Sequence, residues 1–148
     1  MTAPAVPASL AQVLAFRHPA VIRRYCKDHG GSPAQAEEVF QELLKWLYLG
    51  SRCLADNQAT AGCVMTEEIE KLDWMWHTFL LFTRDYTAFC ESYFGFILHH
   101  VPVDEDDEPA SPEALRGQLE RQYAMVYDVL GEQTLLVWYD ECRYAATA

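Results

Sequence analysis

Asp73 and His77 stand four residues apart in the stretch from Thr66 to Pro102, which also carries Arg84, Asp85, Cys90 and the adjacent pair His99 and His100. On a helix, side chains four apart cover the same patch, so these two either hydrogen-bond to each other or ligate one ion together. A carboxylate with two imidazoles is the ligand set of the non-haem iron facial triad and of many zinc sites. Such a set leaves coordination positions open to water or substrate. A metal there lowers the pKa of its bound water or, if it is iron, activates dioxygen. Adjacent histidines in extended chain point opposite ways, so without a special turn only one of His99 and His100 is expected to reach the ion. The candidate metal ligands are therefore Asp73, His77, His99 and His100. Trp76, Arg84, Asp85, Tyr86 and Cys90 surround them as substrate-facing or supporting groups.

The same residues also admit a structural reading. In that reading Asp73 and His77 share a buried hydrogen bond, the histidine pair contacts backbone carbonyls, Arg84 and Asp85 form an ion pair or a helix-start charge, and Cys90 is a small core residue.

The elements that must position these groups are helical. Leu72, Trp76, Phe79, Thr83, Tyr86 and Cys90 recur at three- and four-residue spacing, and Trp74, Met75, Leu80, Leu81, Phe82 and Phe89 make the other faces apolar too. That pattern predicts a buried central helix from Glu67 to Phe94, capped by Thr66, bent near a second capping signal at Thr83 and stopped by Gly95. Before it, Ser9 starts a short helix, Pro19 starts one that runs to His29, and Ser32 with Gln35 forms a capping box for a long helix to about Ala55. On that long helix Val39, Leu43, Trp46, Leu47, Cys53 and Leu54 face inward, and Glu37, Glu38, Gln41, Glu42 and Lys45 face water. His18 reads as loop and His29 as a helix-end cap. After the central helix, Ser111 opens a helix that ends at Gly131, with Leu115, Leu119, Tyr123, Val126 and Leu130 on one face. The tail from Glu132 fits either a strand or a helix, and we read it as helix.

These signals give an all-α single domain of about five to six helices over residues 9–148, with a flexible lead-in at 1–8. A chain of 148 residues with 51% hydrophobic and 13% aromatic content can bury a sizeable core. Its formal net charge of −11 repels phosphate backbones and anionic lipid, so nucleic acid and membrane are not expected as partners. Five cysteines without a C-x-x-C pair read as reduced thiols of a cytoplasmic protein. No signal peptide or apolar membrane span is evident. Phosphate-cradling glycine loops, G-x-S-x-G and H-E-x-x-H are all missing, and without C-x-x-C-H haem is not expected.

Taken together, Asp73-Trp74-Met75-Trp76-His77, Thr83, Asp85-Tyr86, Phe89-Cys90, Phe94-Gly95 and His99-His100-Val101-Pro102 resemble the glycine-rich domain-containing protein-like family, whose bacterial members include short stand-alone chains. The resemblance covers roughly Glu67 to Pro102. With seven glycines, the chain is similar to the helical part of that family without its glycine-rich region. It implies that Asp73, His77, Cys90, His99 and His100 matter and assigns them no roles. Two functions follow from the residues. One is a small metalloprotein with iron or zinc, acting on a peptide or small metabolite. The other is a non-catalytic interaction module whose exposed aromatics, such as Tyr139 and Tyr144, join the acidic run Asp104 to Glu108 in binding a basic partner protein.

Overall fold

Capping chemistry in the sequence marks where several helices begin. Ser9 and Ser32 each accept from the backbone N–H three residues on, and Gln12 and Gln35 accept from the serine N–H in return, so two capping boxes open α1 (Leu10–Leu14) and α3 (Pro33–Ala55). The Ser111 hydroxyl accepts from Ala114 N–H to open α6 (Pro112–Leu130). The remaining elements are α2 (Pro19–His29), a 3-10 turn (Glu67–Ile69), α4 (Glu70–Leu80), α5 (Thr83–Tyr93) and α7 (Glu132–Tyr139). This computed structural model describes residues 7–55, 63–101, 106 and 108–146. The expectations for the lead-in, the loop after Ala55 and the acidic run fall mostly on 1–6, 56–62, 104, 105 and 107, outside the described residues. Among the described residues there is no strand, and the fold is an all-α single domain with seven α-helices. No helix among them is long and apolar enough to cross a membrane.

Helix α3 is the spine of the core. Phe40, Leu43, Leu44, Leu47 and Leu49 are fully buried along it, against α4 on one side and α1, α2 and α6 on others. Phe79 of α4 sits in an aromatic cluster with Phe16, Phe40, Tyr86 and Phe89. The bend between α4 and α5 falls at Leu81 and Phe82, whose N–H groups tighten onto Thr78 and Phe79 carbonyls three residues back. Phe82 is the N-cap of α5 and makes no side-chain cap bond, so Thr83 is not the cap its position suggested. Thr66 precedes the 3-10 turn, again without a side-chain cap bond. The tail is helical, as its wider spacing indicates, and Trp138 of α7 is fully buried.

Three inward and outward assignments change. Leu54 is 41% exposed. Glu42 is buried: its carboxylate accepts from Trp138 Nε1 at 2.9 Å and from Lys45 Nζ at 2.9 Å, and Lys45 also donates to Thr134 Oγ1. Paired in this way, a charge on a mostly apolar face is tolerated and ties α3 to α7. On α6 the inner positions are Gln122 and Val126, while Leu115 is exposed and Leu119, Tyr123 and Leu130 are half-buried. Gln122 holds this inner position because its amide is fully used, on the Val64 backbone and the Tyr139 hydroxyl.

Two outcomes follow. Trp76 is only 8% exposed, so Trp76→Ala should destabilise the fold by about 3–5 kcal/mol, the usual cost of a large aromatic cavity. An unmoved denaturant midpoint would place that ring outside the core. Burial, and secondarily Cys26, pushes the Tyr25 phenol up to about 12, and burial first of all raises Tyr86, Tyr139 and Tyr144 as well. The folded chain therefore keeps phenolic protons that the unfolded chain releases near pH 10. This contribution to stability is complete below about pH 10 and is lost as pH rises through the raised values. Denaturant midpoints measured alongside tyrosinate absorbance from neutral to strongly alkaline pH should fall only in that window.

Candidate metal centre

Residues 73 and 77 on α4 and Leu81 at its C-cap line up four apart, and this strip faces solvent. Its ends differ: Leu81 is 58% exposed, while the Asp73 and His77 side chains are 25% and 56% exposed. The all-round apolar pattern of the central stretch suggested full burial, but α4 buries Leu72, Met75, Trp76 and Phe79 and leaves this strip outside. Asp73 and His77 are therefore surface groups beside the core.

The third member arrives from residues 95–101. Gly95, at φ 83°, lets its N–H reach back to the Cys90 and Glu91 carbonyls and ends α5. The chain then runs without regular structure through Leu98 to Val101. Leu98 packs onto α3 at Gly50, where a Cβ would come 3.1 Å from a Leu98 methyl. Trp76 Nε1 donates to the Tyr86 hydroxyl at 3.1 Å, and that hydroxyl donates to the Leu98 carbonyl. Two residues later the His100 ring stands edge-on to Trp76, with centroids 4.4 Å apart.

His100 Nε2 lies 2.8 Å from Asp73 Oδ1 and 3.1 Å from His77 Nε2, and His77 Nε2 lies 3.5 Å from the same Asp73 oxygen. Asp73, His77 and His100 thus form a group able to hold a metal ion. Ligand atoms about 2.0–2.2 Å from one tetrahedral ion lie roughly 3.4 Å apart, so the triangle has the size such an ion needs. Hydrogen bonding alone serves it poorly. One hydrogen on His100 Nε2 cannot be given fully to both Asp73 and His77, and a second on His77 Nε2 would point at the first. A central cation would use a lone pair from each of the three atoms. The His100 side chain is 18% exposed and that of His77 56%, so the group opens to solvent on the His77 side.

The other named residues fall around this group or away from it. His99 is exposed and points out, as alternation along extended chain requires. Trp76 and Tyr86 lie behind His100 as its support. Cys90 is fully buried and burial pushes its thiol up, which suits a core residue rather than a nucleophile or ligand. Arg84 is exposed, and Asp85 pairs with His18 Nε2 at 2.7 Å rather than with Arg84. Neighbours in sequence on a helix face different ways. Read as loop, His18 is instead the N-cap of α2: its Nδ1 accepts from Val21 N–H at 3.2 Å. Its position just before Pro19 was the available signal, although histidine is not among the preferred caps. His29 stacks on Trp74, 4.8 Å between centroids. Tyr144 is buried and Tyr139 half-buried with its hydroxyl on Gln122, so neither ring offers the exposed aromatic surface of the interaction-module reading.

No curated protein and no solved structure matches the chain. The model of one family does match, over residues 11–125, a span that runs from α1 into α6 and includes Asp73, His77 and His100. With most of its length matched, the chain belongs to the UCP032817-like family.

Proposed function

We propose that this protein is a metalloprotein holding one divalent transition metal, iron or zinc, on Asp73, His77 and His100, and that it uses the open positions for chemistry on a small metabolite or peptide. The observation that carries this reading is the meeting of one carboxylate oxygen and two imidazole nitrogens within 3.5 Å of one another. Two imidazoles and one carboxylate suit iron or zinc and leave room for water and an oxygen-donor substrate. The ion would polarise that substrate or activate the water, and Asp73, His77 and His100 would fix where this happens. The kinship with the glycine-rich domain-containing protein-like family belongs to this proposal too, resting on the residues from Glu67 to Pro102.

Elemental analysis of untagged protein, followed by titration with iron(II) and zinc(II), tests the reading. Wild type should bind one equivalent. His77→Gln and His100→Ala should each weaken binding by more than about 100-fold, beyond the roughly 10–100-fold that loss of a supporting group costs. His99→Ala should bind as wild type does. Protein with no metal above trace and no binding on titration would sink the proposal. So would equal losses from His99→Ala and His100→Ala.

Tyr86→Phe separates support from ligation. It leaves the Trp76 N–H and the Leu98 carbonyl without their buried partner, so it should cost about 1–3 kcal/mol of stability. Metal affinity should fall by about tenfold, the smaller penalty expected of a positioning residue. A change in stability with unaltered affinity would show that the Leu98 anchor does not set the place of His100.

A further inference from the structure

Away from the Asp73 group, Cys53 near the end of α3 lies beside two other sulfurs, one from the segment before the 3-10 turn and one from α6. Cys53 Sγ lies 3.7 Å from Cys63 Sγ and 3.9 Å from Met125 Sδ. Cys53 is buried, and Cys63 and Met125 are half-buried. Cys63 is held in place by its neighbour. The buried Gln122 amide accepts from Val64 N–H at 2.6 Å and donates to the Val64 carbonyl at 2.9 Å. A side-chain amide paired both ways with one residue fixes that backbone much as a neighbouring strand would, and α6 presents Gln122 and Met125 three residues apart on one side.

Two thiols and a thioether are soft donors, the kind that select monovalent copper over the hard divalent ions. Three sulfurs about 2.3 Å from one ion in a plane lie roughly 4 Å apart, and the two separations from Cys53 have that length. The alternatives fit less well. A disulfide needs its sulfurs about 2.05 Å apart, and these two stand 3.7 Å apart as thiols. A structural zinc site uses four nitrogen, oxygen or thiolate donors, and a thioether is not among them.

We propose that Cys53, Cys63 and Met125 form a binding site for one Cu(I) ion, independent of the Asp73 group. On binding, the two S–H bonds break and their protons pass to solvent. Two copper–thiolate bonds and one copper–thioether bond form. Copper remains in the +1 state and no electron is transferred.

The test is anaerobic titration of the full-length reduced chain with Cu(I) in competition with bicinchoninate, a coloured Cu(I) chelator. Wild type and His77→Gln should each withdraw one equivalent of copper. Cys63→Ser should weaken retention by more than about 100-fold and Met125→Leu by about tenfold, following loss of a thiolate or a thioether donor. X-ray absorption of the wild-type complex should show sulfur neighbours alone, at about 2.3 Å. Helical circular dichroism checks each variant. If Cys63→Ser does not fold, Met125→Leu carries the comparison, because it nearly conserves volume. Failure of wild type to withdraw copper, retention undiminished by both sulfur variants, or nitrogen neighbours in the absorption spectrum would overturn the proposal.

Discussion

Two hydrogen bonds in series, from the Trp76 indole to the Tyr86 hydroxyl and from that hydroxyl to the Leu98 carbonyl, hold three pieces of the chain in one arrangement. All three groups lie in the core, where an unpaired polar atom is costly, so the series works only when α4, α5 and the segment after Gly95 are in register together. The notch at Gly50 supports it from below by admitting the Leu98 side chain against α3. With Leu98 fixed, alternation along the chain turns His99 outward and brings His100 back over Trp76. The Asp73, His77 and His100 group is thus a surface consequence of a core constraint. Its two histidines lie 23 residues apart in sequence and 3.1 Å apart in space.

How much of this the sequence reveals depends on the range of the forces involved. Capping is local, and Ser9, Ser32 and Ser111 announce their helices through atoms three residues away. Hydrophobic spacing is nearly as local, and it places Leu72, Trp76 and Phe79 inside. Charge is harder to place, because a partner can come from anywhere. Glu42 looks like a solvated residue until Trp138, 96 positions later, supplies an N–H. His18 likewise depends on Asp85, 67 positions away.

Asp73 and His77 are legible as a pair because one helix turn fixes them. That His100 joins them, and His99 does not, depends on where the chain re-enters after Gly95, which only packing against α3 and Trp76 decides. The apolar surroundings of the central stretch also mislead in one respect. Trp74, Leu80 and Phe82 are half-buried and Leu81 is exposed, so an aromatic-rich helix can still run along a surface. The sulfur group is hidden in the same way, since nothing local to Cys53, Cys63 or Met125 indicates that they meet.

The separation between His77 and His100 has a further consequence. Any ion joining them closes the chain between two points 23 residues apart, across the whole of α5 and its following turn. Closing such a loop removes freedom chiefly from the unfolded chain, as a covalent bridge does, with a benefit that grows slowly with loop length. Unlike a covalent bridge, an ion can leave without a chemical reaction. With an ion bound as proposed, the bend of α5 against α4 would be fastened by a removable clasp, and metal supply would set the firmness of that corner.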